Sequence, residues 1–136
     1  MIKQIVRDTF FLAQKSEEAT KEDLYLAQDL QDTLVANRDN CVGMAANMIG
    51  VKKRAIIVNM GVADLVMFNP VLLNKSLPFD TKESCLSLTG ARPTRRYQKI
   101  EVAFLDKNWS QQTLNLTGLP AQICQHELDH LEGVII

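Results

Sequence analysis

The sequence predicts an α+β fold: mainly antiparallel short strands wrapped around a C-terminal metal-binding helix, with a further helix towards the N-terminus. Three observations predict it. Apolar residues recur at helical spacing between Thr20 and Asn37, β-branched runs bounded by turn residues fill the middle of the chain, and the segment after Gly118 reads as a helix carrying both histidines. No internal repeat, low-complexity tract or linker interrupts this order, so residues 1–136 are expected to form a single domain around one core.

Taken in order, Ile2 to Ala13 has mixed periodicity, compatible with a short helix or an irregular lead-in. From Thr20, with Asp23 as its capping partner, Leu24, Ala27, Leu30, Leu34 and Val35 form one helical stripe that ends near Asn37. Asp39 to Gly50 is a turn-rich, glycine-bearing stretch. Arg54–Asn59 is a β-branched run that reads as a strand, and Gly61 breaks it. Asp64–Asn69 and Val71–Leu73 read as two more strands around Pro70, and Ile100–Asp106 as another, with a turn from Asn108 into Gln112–Leu116. The last helix opens at Gly118-Leu119-Pro120, where Pro suits a first turn, and closes at Gly133. Leu119, Ile123, His126 and His130 fall on one side of it, at offsets of four, three and four, and this face should point inward.

That helix carries the chemistry. His126-Glu127-Leu128-Asp129-His130 is an H-E-x-x-H, and four residues of helix advance about 400°, so the imidazoles project together and can clamp one divalent metal. Glu127 adjoins the first ligand and is the natural general acid or base. Inward histidines need partners, since an unsatisfied buried polar group costs on the order of 1–3 kcal/mol, and a shared metal satisfies both rings.

Composition narrows the partners. With 15 basic and 16 acidic residues the net charge is -1 without charged blocks, which argues against nucleic acid or an anionic membrane. The N-terminus carries charges where a signal core would be apolar, so a cytoplasmic protein is expected, and three cysteines then read as reduced thiols or a metal ligand.

A tetrahedral hydrolytic site needs a third protein ligand. Only six residues follow His130, which makes the downstream ligand of an ordinary zinc endoprotease improbable and directs attention to the cysteines. Cys124 lies about 200° round the helix from His126 and reads as a small buried hydrophobe. Cys41 and Cys85 both remain, and spacing alone does not choose between them.

Three segments together resemble the peptide deformylase family, whose motifs are a G-x-G-x-A-A-x-Q loop, an E-G-C-L-S loop and a Q-H-E-x-D-H-L helix. The corresponding residues are Cys41-Val42-Gly43-Met44-Ala45-Ala46-Asn47-Met48, Glu83-Ser84-Cys85-Leu86-Ser87 and Gln125-His126-Glu127-Leu128-Asp129-His130-Leu131, in the family's order. The resemblance implies Cys85, His126 and His130 as metal ligands, Fe(II) as the natural metal with Zn(II) or Ni(II) able to replace it, and Glu127 as the catalytic acid/base. It implies that the Leu86 amide donates to the oxyanion, that Gly43 and Val42 hold an extended peptide, and that Arg92 contacts it. The implied reaction removes the formyl group from N-formylmethionyl nascent polypeptides, at or near the ribosome, by a monomer. A thiolate ligand should make the metal a weaker Lewis acid, leaving more of the task to Glu127 and the oxyanion donors.

Departures accompany the likeness. Met48 stands where the family has a glutamine whose amide serves the oxyanion, and a thioether donates nothing. Loss of one such donor typically costs about 100- to 1000-fold in turnover, so a slow enzyme is expected. Cys41 and Ser84 replace glycines. The alternative is a non-catalytic or repurposed relative that binds metal and peptide.

Overall fold

The β-branched run after Arg54 forms a strand, Ala55–Asn59, on which both cores are built. Alternate side chains of a strand point to opposite faces, so Ala55 and Ile57 enter one core while Ile56 and Val58 enter the other. In this computed structural model, which describes residues 1–136, five antiparallel strands pair in sequence order. They are β1 (Gly43–Ala45), β2 (Ala55–Asn59), β3 (Asp64–Ser84), β4 (Ala91–Leu105) and β5 (Gln111–Thr117). Three α-helices, α1 (Thr9–Leu12), α2 (Leu26–Ala36) and α3 (Gly118–Leu131), complete the α+β architecture.

The helices cover opposite faces of the sheet. Leu26, Leu30 and Leu34 of α2 pack with Met44, Ile57 and Phe68, whereas Ile123, Cys124 and Leu131 of α3 pack with Ile56, Val58 and Val102. Cys124 is accordingly a buried apolar side chain, as its helical angle predicts. No helix is long and apolar enough to cross a membrane.

Several elements differ from the sequence expectation. The helix expected from Thr20 is divided: Lys21–Asp23 is a 3₁₀ turn, and α2 begins at Leu26. The capping pair belongs to the 3₁₀ turn, where the Thr20 amide donates to Asp23 Oδ2 at 2.8 Å. The turn-rich stretch contains β1 and a 3₁₀ turn, Ala46–Ile49; a three-residue strand is too short for alternation to reveal it. The two strands expected around Pro70 are one, because a bulge between Phe68 and Val71 absorbs the proline. Asn69 takes a left-handed φ of 49° there, and its side-chain amide pairs with the Ala19 backbone in both directions. Nor are all strands short: β3 and β4 extend as a long hairpin whose distal half is largely exposed and lacks an apolar rhythm. Leu119, expected to face inward, lies on the side of Ile123 and His126 but is 61% exposed, because it lines an open cavity there.

The C-terminal end of α3 is closed by two backbone bonds, Gly133 N–H to the His130 carbonyl at 3.1 Å and Val134 N–H to the Asp129 carbonyl at 3.0 Å. Gly133 has φ 76°, and a Cβ there would lie 2.3 Å from the Ala13 carbonyl oxygen. The variant Gly133→Ala should therefore lose about 1–3 kcal/mol of stability from backbone strain, with the contact adding to it. Urea unfolding of the metal-free protein measures this, and an unchanged midpoint would contradict it.

Candidate metal centre

Helix α3 lies close against β1 because Gly43 has no side chain. A Cβ at that position would meet Ile123 Cγ2 at 2.5 Å and Glu127 Oε2 at 3.0 Å. The approach brings the inner face of α3 to the end of β3, where Cys85 follows Ser84. Cys85, His126 and His130 are buried there, with one ligand atom of each within 4.8 Å of the others. Cys85 Sγ lies 3.3 Å from His130 Nε2. One thiol and two imidazoles converging in this way suit a first-row transition metal such as iron, zinc or nickel.

A carboxylate behind the site fixes the first ligand. His126 Nδ1 meets Glu83 Oε1 at 2.7 Å, and since an ionised carboxylate only accepts, the ring donates there and leaves Nε2 for a metal. Glu83 also accepts from Arg96, through Nε at 3.1 Å to each oxygen and Nη2 at 2.8 Å, and from Gln122 Nε2 at 2.8 Å. Burial opposes its charge, yet the bonds from His126, Arg96 and Gln122 hold it down at about 2. Arg96, only 4% exposed, reaches Asp129 on α3 at 2.7 Å with Nη1. Sequence reasoning missed Arg96 as a site residue; the available signal was a run of arginines on one strand, which does not say which of them turns inward.

The acid/base candidate has its own setting. Glu127 is 4% exposed, and its Oε1 has no hydrogen-bond partner. Burial pushes its carboxyl up to about 7, with the His126 charge opposing. Burial lowers His130 to about 3, and His126 adds to that effect. His126 stands at about 10: burial works against its charge, but the adjacent Cys85 and Glu83 outweigh it.

In front of the donor set lies a cavity of about 320 Å³, whose wall includes Val42, Gly43, Met48, Cys85, Leu86 and Glu127. Leu86 carries the amide expected to serve an oxyanion, and that N–H donates to no protein acceptor, while Arg7 Nη1 holds the Leu86 carbonyl at 2.7 Å. Met48 is buried with Sδ 3.5 Å from the Ala45 amide. The neighbouring Asn47 does not replace the missing donor, because its Nδ2 is bonded to the His130 carbonyl at 3.0 Å. Arg92 is not in the wall; its Nη1 lies 3.4 Å from the Thr89 carbonyl on the hairpin.

Known proteins bear on this geometry. The sequence model of the polypeptide deformylase family matches residues 2–136. The peptide deformylase of Clostridium beijerinckii is 56% identical over 136 residues, covering all of both chains, and peptide deformylase 1 of Clostridium perfringens is 39% identical over 81% of this chain and 76% of its own. Among solved structures, a peptide deformylase from Legionella pneumophila superposes with a TM-score of 0.90 at 29% identity, covering 99% of this chain and 83% of its own. The peptide deformylase of Ehrlichia chaffeensis gives 0.88 at 29%, covering 99% and 86%.

The depressed Glu83 carboxyl generates a stability prediction. Its folded value, about 2, lies below its ordinary 4.5, so its contribution is present above pH 4.5 and is lost as pH falls towards 2. The unfolding free energy of the metal-free protein should decline across that window, and less steeply in Glu83→Gln. Equal slopes in urea titrations of the two proteins would refute the assignment.

Proposed function

The chain belongs to the polypeptide deformylase family and is a metallohydrolase of that kind, and from this premise we propose that it removes the formyl group from N-formylmethionyl ends of nascent polypeptides. The observation that carries the reading is the buried, unpartnered Glu127 Oε1 beside a Cys85–His126–His130 donor set. We assign the metal to those three residues, with Fe(II) as the natural ion and Zn(II) or Ni(II) as substitutes. When bound, a divalent ion there supplies Lewis acidity to a carbonyl oxygen and acidity to a water.

The chain's own groups do the rest. The peptide lies extended along the outer edge of β1, held by the backbone of Gly43 with Val42 beside it in the cavity wall, and with its formyl end towards Glu127. Glu127, poised near neutrality by burial, takes a proton from the attacking water at Oε1 and passes it to the leaving amine nitrogen. The Leu86 N–H donates to the oxyanion, and Met48 contributes no donor beside it. Arg92, outside the cavity wall, is assigned to the peptide beyond its formyl end. Formylated chains emerge at the ribosome, so the working compartment is the cytoplasm and a monomer suffices.

Anaerobically prepared, iron-loaded protein should deformylate formyl-Met-Ala-Ser, and Glu127→Gln should lose about 100-fold or more in kcat while retaining its metal. Wild-type turnover no higher than that of the variant, with metal and peptide still bound, would favour the non-catalytic alternative. A separate expectation concerns Met48. Restoring an amide donor in Met48→Gln should raise kcat by about 100-fold, the usual worth of one oxyanion donor, with KM little changed. An unchanged kcat would mean that the oxyanion is served without a side-chain donor.

A further inference from the structure

The free edge of β1 is not open. In its antiparallel pairing with β2, Gly43 stands opposite Val58, Met44 opposite Ile57 and Ala45 opposite Ile56. The Asn59 amide donates to the Val42 carbonyl at 2.9 Å, so Val42 and Asn59 form a hydrogen-bonded pair. Such pairs alternate along an antiparallel ladder, which makes Met44 and Ile57 the next one and leaves Gly43 and Ala45 with their N–H and C=O groups turned away from β2. An extended peptide adding to this edge would have to bond those outward groups.

Two of them are already engaged by sulfur. The Cys41 thiol donates to the Gly43 carbonyl at 2.8 Å, and Met48 Sδ faces the Ala45 amide at 3.5 Å. Both sulfur residues line the cavity into which the unpartnered Glu127 carboxylate also faces. Burial pushes the Cys41 thiol up to about 12, with the Glu127 charge adding, so it keeps the proton it donates.

We propose that Cys41 is a displaceable cap on the Gly43 carbonyl: its thiol occupies the acceptor that a strand-adding peptide needs, and binding exchanges an S–H donor for the peptide's N–H. The proposal rests on the assigned peptide position along β1. A thiol is a weak donor that an amide can displace, so the cap lowers affinity without blocking the site. It also selects, since a ligand with no N–H at that position would leave the carbonyl to the thiol and gain nothing from displacing it.

The test is peptide binding to metal-loaded protein, read by calorimetry so that no turnover is required. The deformylated product Met-Ala-Ser should bind Cys41→Ala and Cys41→Gly at least about threefold more tightly than wild type, a factor within the net worth of one hydrogen bond. Metal content should not change. The Cys41 S–H stretching band, identified by its loss in Cys41→Ala, should move to higher frequency when the peptide binds wild type. Equal or weaker affinity in both variants, or a band that does not move, would overturn the cap and leave hydrolysis untouched. Absent turnover in wild type together with tighter binding in the variants would overturn the proposed reaction and support the cap.

Discussion

The carboxylate of Glu83 is the point on which the site depends. It sits at the end of β3, buried, and is bonded by His126 and Gln122 from α3 and by Arg96 from β4. A buried carboxylate is costly unless its lone pairs are met, and here the partners come from two elements, β4 and α3, so satisfying one charge on β3 aligns all three. Arg96 extends the connection to Asp129, one residue before the second histidine. The same contacts fix which nitrogen of His126 faces the donor set. Geometry and tautomer therefore follow from a single electrostatic requirement.

Other bonds press α3 against the sheet in the same register. Gln125 pairs with the Tyr97 backbone, accepting its N–H at 2.8 Å and donating to its carbonyl at 2.7 Å, as a neighbouring strand would. Asn47 holds the carbonyl of His130 from the opposite side, and the absence of a Cβ at Gly43 lets the two backbones meet. A metal entering this site thus meets side chains whose rotamers are set by their surroundings.

What could be read in the sequence was local. The H-E-x-x-H helix, its Gly133 terminus and the β-branched run of β2 follow from spacing and propensity, whereas the grouping of Cys85 with His126 and His130 was expected only from the family resemblance of three motifs. The hidden features are contacts between distant segments or elements too short to show a period. β1 is three residues long, and the distal β3–β4 hairpin pairs with itself while exposing polar side chains. Among Arg92, Arg95 and Arg96, alternation separates Arg96 from Arg95 but not from Arg92. What decides is that Arg96 finds Glu83 and Asp129 within reach, whereas Arg95 pairs with the exposed Asp80. Expecting Leu119 to be buried failed for a related reason, since helical angle says which side a residue occupies and not whether anything lies opposite.

Two of the three departures from the family motifs, Cys41 and Met48, fall on one side of the site, while the third, Ser84, ends β3 beside Cys85. Every group that holds α3 or the donor set is present, while Cys41 and Met48 both stand at the edge of β1, across the cavity from the helix. This division has a physical basis. A change in Glu83, Arg96 or a histidine would strand a buried charge or ring, with a penalty in stability before any effect on rate. A change along the edge of β1 leaves backbone groups that a sulfur, a water or an incoming peptide can meet in turn. Variation there strands no buried charge, so the fold tolerates it. The two sulfur atoms thus stand where a change is cheapest for the fold, and the carboxylate beneath His126 stands where it is most costly.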